Sequence, residues 1–162
     1  SLTTRLGTQK GVDPVRIVLD THLSISPDAR ILALDSDSDT ILIAGIGAAK
    51  AKRKNFQQKR VRVIEQPVKR GQIDLKSLMD RLGSEGITSL LIEGGSRVLA
   101  SALSSGIVDK ALFFYAPKIL GGDDGIPICR GAGPALMKES IELNHIRVQR
   151  FAEDVMIEGY IR

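Results

Sequence analysis

The sequence predicts an α/β fold, a mostly parallel central sheet flanked by helices with a C-terminal antiparallel hairpin. Three observations carry this. Short β-branched runs alternate with helical patterns over residues 15–119, the order of a parallel sheet with crossover helices. Two strand-like runs, 141–151 and 154–162, close the chain around Ala152 and Glu153, and an antiparallel edge is common on such sheets. At 162 residues, 43% hydrophobic and 26% charged, the chain has the make-up of one soluble domain and can bury about 70% of its unfolded surface.

The elements follow in order. VRIVLD (15–20) is a β-branched run after Pro14 and reads as a strand. Residues 29–34 give a second, shorter strand. TILIAG (40–45) is a firmer strand, bounded by DSDSD and Gly45. Residues 48–59, rich in Ala and Lys, suit an exposed helix. VRVIE (61–65) is again a strand. Asp74 is placed to cap a helix whose Leu75, Leu78, Met79 and Leu82 fall on one face. SLLIE (89–93) reads as a buried strand, 96–105 as a helix ending at Gly106, and KALFFYAPKI (110–119) as a strand. Ligands in open α/β sheets sit outside the carboxyl ends of the strands, which puts Asp20, Gly45, Glu65 and Glu93 on or near the functional edge.

Several function classes fall away. One cysteine, Cys129, allows no internal disulfide and no C-x-x-C metal spacing. It reads as a small apolar residue and fits a reducing, cytoplasmic setting. His22 and His145 lack metal-type neighbours, so no metal is expected. There is no P-loop and no G-x-S-x-G elbow. No apolar stretch approaches the roughly 18 residues of a membrane span. The net charge is +4, and the basic run AKAKRKNFQQKRVR (49–62) holds a single aromatic, Phe56. Nucleic acid that stacks on spaced aromatics is therefore not the expected partner. The run reads as a solvated helix face, and a phosphorylated small ligand accounts for the mild basicity.

LLIEGGSRVLAS (90–101) is the most informative stretch. Glycines after a strand let the backbone turn sharply and approach a ligand. The first helical turn offers unpaired N–H groups to a phosphate, and Glu93 stands ready for sugar hydroxyls or ring N–H groups. The plain alternative is a tight connection with Glu93 facing solvent. It is not a G-x-G-x-x-G fingerprint. With no acid–base constellation in sight, any hard chemistry belongs to a bound cofactor.

LIEGGSRVLASALSSGIVDKALFFYAPKILGG (91–122) resembles the reductase domain of the bacterial bifunctional riboflavin-biosynthesis deaminase/reductase family. The shared pattern is an acidic residue and Gly at a strand end, a helix, G-x-V-D, a strand and A-P-x-x-x-G. VRIVLDTHLSISPDARIL (15–32) resembles the family's earlier strand followed by Asp-Ser or Asp-Thr, and SLTTRL (1–6) its L-T-x-R segment. The resemblance implies a dihydrofolate-reductase-like fold and NADPH-dependent reduction of the ribosyl group of 5-amino-6-(5-phosphoribosylamino)uracil to a ribityl chain. It implies substrate contacts at Leu2, Arg5 and Glu93, with the Arg5 guanidinium suited to a phosphate. It implies cofactor contacts at Thr21, Gly95, Ser96, Arg97, Val98, Leu99, Ala100 and Ser101. No catalytic proton donor follows from it. Arg53, Lys54 and Arg97 are the candidate cations for a 2′-phosphate.

Parts of the family pattern are missing from residues 1–162. The first reductase strand, the Gly-x-x-Thr segment and the zinc deaminase motifs H-x-E and P-C-x-x-C are not present. The expectation is a single, N-terminally truncated reductase domain, impaired alone, that covers exposed apolar surface as a homodimer. A stand-alone pyrimidine or dihydrofolate reductase and a non-catalytic nucleotide-binding fragment stay open as alternatives.

Overall fold

The computed structural model describes residues 4, 11–34, 36–48, 50–57 and 61–161. They form two compact units, one ending at Ser84 and the other beginning at Glu85.

In the first unit, β1 (Arg16–Leu19), β2 (Thr40–Gly45) and β3 (Val61–Gln66) make a parallel sheet in that order. Val18 pairs with Leu42, and Leu42 with Val63. Every residue of TILIAG is buried. A central parallel strand is covered on both faces, so it reads as a continuous apolar run rather than an alternating one. On one face Leu42 and Ala44 pack with Leu23, Leu32, Phe56 and Val61. Phe56 comes from α1 (Lys50–Gln57), whose Lys52, Lys54 and Asn55 are exposed. Of the basic run, Lys50–Gln57 is thus a helix pinned by one aromatic anchor, whose truncation to Ala costs about 3–5 kcal/mol. Val61 and Arg62 open β3, and residues 58 and 59 of the helix expected over 48–59 lie outside the described residues.

Helix α2 (Leu75–Ser84) buries Leu75, Leu78 and Leu82, the face its spacing predicts. Asp74 caps it. The Lys69 ammonium at 2.6 Å, joined by the Ser77 N–H, holds this carboxyl below its ordinary range against the opposing effect of desolvation. Lys69 is positioned by a small hairpin, β4 (Val68–Lys69) with β5 (Gln72–Ile73), absent from the sequence reading. Its two-residue turn has Arg70 and Gly71 both at positive φ, 52° and 78°, the backbone of a type I′ connection.

The short strand expected over 29–34 is not there. Arg30–Leu32 form a 3-10 turn, closed by the Leu32 N–H to the Ala29 carbonyl at 2.9 Å. Its cause is local. The Asp28 N–H bonds the Ser26 hydroxyl, a turn-favouring contact, and the turn delivers Leu32 to the core.

In the second unit, α3 (Ser96–Ser104) precedes β6 (Lys110–Tyr115), β7 (Leu143–Phe151) and β8 (Asp154–Ile161). These strands form an antiparallel sheet in the order β6-β8-β7. The hairpin turns at Ala152 and Glu153 as expected, and it continues into β6 rather than standing alone. Strand β6 stops at Tyr115, earlier than the expected 119, because Pro117 cannot donate to a ladder. The buried strand expected over 89–93 is also not formed. Residues 87–95 are irregular, and Leu91 is 69% exposed. Among the described residues of this unit, β6, β7 and β8 pair only with one another, so the run has no ladder to join.

Candidate functional site

The carboxyl ends of β1, β2 and β3 lie side by side, which brings Asp20, Gly45 and Glu65 to one edge as expected. The Asp20 N–H donates to the Ile43 carbonyl at 2.9 Å, the Gly45 N–H to the Thr21 carbonyl at 3.0 Å, and the Ile46 N–H to the Gln66 carbonyl at 2.9 Å. The strands are thus stitched together one residue past their ends.

The Asp20 carboxylate is spent on its own turn. It accepts from the Ser24 hydroxyl at 2.9 Å and from the Ile25 N–H at 2.7 Å. Desolvation pushes its pKa upward, but these bonds, with the Ser24 N–H, outweigh that and hold it below the ordinary value. A carboxyl kept ionised and occupied in this way shapes the loop around Thr21 and is no proton donor. Two cations reach the same edge. The Lys52 ammonium lies 3.4 Å from the His22 carbonyl, and Arg53 pairs with Glu65 at 3.3 Å. Lys52 was missed in the sequence. Its signal is the basic helix that follows the G-I-G turn.

The second unit holds the remaining described candidates in one turn. Glu93 is exposed, and Gly94 has open space around it. Gly95 is the N-cap of α3 at φ 79°, with no side chain capping the helix. Only glycine takes that backbone readily. The first intrahelical bond runs from the Leu99 N–H to the Gly95 carbonyl, so the amides of Ser96, Arg97 and Val98 have no acceptor within the helix. Val98, Leu99, Ala100 and Ser101 continue that helix, and the Arg130 N–H ties a later loop to the Ser96 carbonyl at 3.0 Å. Thr21 belongs to the first unit. Leu2 and Arg5 lie outside the described residues. Among the described residues, no three His, Cys, Asp or Glu side chains gather as a metal site, and no helix is long and apolar enough to cross a membrane.

Residues 1–157 match the family model of the RibD C-terminal domain. A 2,5-diamino-6-ribosylamino-4(3H)-pyrimidinone 5′-phosphate reductase of Methanothermobacter thermautotrophicus is 32% identical over 98% of the chain and 71% of its own length. The riboflavin biosynthesis protein RibD of Actinobacillus pleuropneumoniae is 31% identical, over 90% of the chain but 38% of its own length. The chain thus spans well under half of that relative's length. Among solved structures, the deaminase/5-amino-6-(5-phosphoribosylamino)uracil reductase of Thermotoga maritima superposes with a TM-score of 0.71 at 21% identity, covering 99% of the chain and 41% of that one. The Saccharomyces riboflavin biosynthesis reductase Rib7 gives 0.69 at 19%, covering 93% and 65%. At these identities the likeness speaks for the fold alone, an α/β architecture with a parallel sheet and C-terminal antiparallel strands.

Proposed function

The chain belongs to the RibD C-terminal domain family, and from that premise we propose that it is the pyrimidine reductase of riboflavin biosynthesis. The proposed reaction is NADPH-dependent reduction of the ribosyl group of 5-amino-6-(5-phosphoribosylamino)uracil to the ribityl form. A second reading has the still-aminated 2,5-diamino-6-ribosylamino-4(3H)-pyrimidinone 5′-phosphate as substrate. It is favoured by the archaeal reductase, which the chain covers over 71% of its length. The family match runs across both units, which supports one reductase domain over 1–162. That match begins at residue 1 and lends nothing to the expected impairment of a truncated domain.

The observation that carries the reading is the turn into α3: Gly95 at φ 79°, no side-chain cap, and Glu93 two residues before it. Such a turn fits a cofactor phosphate, because helix-terminal amides and the dipole both favour an anion. NADPH, when bound, supplies the hydride. The Gly95–Val98 backbone holds its phosphates, and Leu99, Ala100 and Ser101 keep that turn helical. Thr21 is a further cofactor contact in this reading. Lys52 and Arg53 stand at the same edge as Thr21 and are the cations available to a 2′-phosphate there. Glu93 accepts from donors of the pyrimidine or the sugar, and Leu2 and Arg5 complete the substrate contacts, Arg5 at the phosphate. Positioning and exclusion of water are what hydride transfer asks of the protein. The same reading has the chain act as a cytoplasmic homodimer, a use for the exposed Phe114 and Val148 of the antiparallel sheet; sedimentation as a monomer at high concentration would remove that part.

The test is loss of reduced-nicotinamide absorbance with each of the two phosphorylated pyrimidines, for the parent and for Glu93→Ala. Turnover by the parent and a KM for the pyrimidine raised about tenfold or more in the variant, the scale of a lost charged hydrogen bond, support the reading. No turnover with either substrate sinks it, and unchanged kinetics of the variant remove Glu93 from it.

A further inference from the structure

Gly45 ends β2 with ordinary strand backbone, paired to Gln66 of β3. Its glycine identity therefore answers to space and not to φ. A Cβ built there would stand 2.7 Å from Val68 Cγ2, 3.0 Å from the Thr21 carbonyl oxygen and 3.1 Å from Thr21 Cγ2. The same residue donates its N–H to that Thr21 carbonyl at 3.0 Å. Thr21 is thus both pulled onto the end of β2 and allowed to come that close by the one missing methyl group. Asp20, one residue earlier, fixes the rest of the loop through Ser24 and Ile25, so Thr21 is held on both sides.

We propose that Gly45 is a positioning residue for the cofactor contact at Thr21, acting by close backbone approach and not by touching the ligand. The proposal rests on the reading of Thr21 as a cofactor residue. The two obstructions to a Cβ differ in kind. Val68 is half-exposed and can turn its methyl away, or lose it as Val68→Ala. The Thr21 carbonyl is backbone and can give way only by shifting Thr21 itself. A side chain at 45 therefore displaces Thr21 even where the packing has been relieved.

The experiment is a double-mutant cycle in a Val68→Ala background, reading NADPH affinity by calorimetry together with the melting temperature. The four proteins carry Gly or Ala at 45, each with Thr21 or Thr21→Val. With Thr21 present, Gly45→Ala is expected to weaken NADPH about tenfold, the scale of one lost hydrogen bond to a charged group, at a nearly constant melting temperature. With Thr21→Val, which keeps the shape and removes the hydroxyl, the same change is expected to alter affinity less than about twofold. An equal loss in both backgrounds, or no loss in either, overturns the proposal. A Val68→Ala parent that binds no NADPH overturns the cofactor reading as well, and so separates the two failures.

Discussion

TILIAG in the first unit and SLLIE in the second are runs of similar apolar content, yet they end differently. The first is a central strand buried at all six positions, with β1 on one side and β3 on the other. The second is irregular, with Leu90 and Leu91 exposed. Strand propensity is largely a measure of fit to a half-built, pleated surface. An apolar run becomes a strand where neighbours supply its hydrogen bonds, and 89–93 has no such neighbour among the described residues of its unit. Composition signalled burial in both cases. Pairing decided it.

Core truncation tests that contrast most strongly. Leu42 is fully buried within the cluster around Phe56, so Leu42→Ala should lower stability by about 2–5 kcal/mol. Leu91→Ala, at an exposed position, should stay within about 0.5 kcal/mol. Denaturant midpoints of the two variants measure this directly. A Leu91→Ala cost comparable to that of Leu42→Ala would show that 89–93 is packed in solution.

The next effect compares two glycines. Gly45 is needed for space and Gly95 for backbone angle. Gly95→Val forces a β-branched residue to φ 79°, which costs on the order of 1–2 kcal/mol or moves the turn. NADPH affinity should fall more than tenfold by calorimetry if the amides of Ser96–Val98 hold its phosphates, since several charge-assisted bonds would be lost together. Gly94→Ala, with open space around it and no positive φ, should leave affinity nearly unchanged.

What the sequence made legible follows the same division. The strands β1, β2 and β3, the apolar face of α2 and the capping Asp74 could be read because their signals are local: β-branched runs, i, i+3, i+4, i+7 spacing, a carboxylate before a leucine. The turn into α3 was legible for the same reason, as Gly-Gly before a helical pattern. The 3-10 turn at Arg30–Leu32 was not, because its apolar residues look like a strand until Ser26 and Asp28 are seen to close a turn. Nor was the close approach of Gly45 to Thr21. Those residues are 24 positions apart, and only the register of β1 against β2 brings them together. Lys52 was hidden among the four cations of α1, Lys50, Lys52, Arg53 and Lys54, which composition alone does not tell apart.

Lys52 sharpens the comparison within that basic helix. Its ammonium reaches the His22 carbonyl beside Thr21, while Lys54 is simply exposed. Lys52→Ala should cut the preference for NADPH over NADH roughly two- to fivefold, the worth of an exposed charge pair, and Lys54→Ala should not. Steady-state kinetics with both cofactors would show it, and equal effects of the two variants would assign the selectivity elsewhere.

The smallest effects set the two units apart by pH. Asp20, in the first, is held below the ordinary carboxylate pKa by its turn bonds. Its contribution is present above the unfolded value and is lost as pH falls through the folded one. Lys110, in the second, has its pKa raised mainly by the Glu158 carboxylate at 2.6 Å. Its contribution is present below the unfolded value near 10.5 and is lost as pH rises through the folded one. The first unit should therefore loosen at the carboxyl edge of its sheet on the acid side, and the antiparallel sheet on the alkaline side. Amide protection, corrected for the intrinsic pH dependence of exchange, should fall at Ser24 and Ile25 only on acidification, and in the β6–β8 ladder only at high pH. Lys110 is solvated, so added salt should shrink the alkaline effect, while the short bonds within the Asp20 turn should leave the acid effect in place. Acid and alkaline losses that fell on the same amides would mean that the two units respond as one cooperative body and that these two contacts do not set the pH limits.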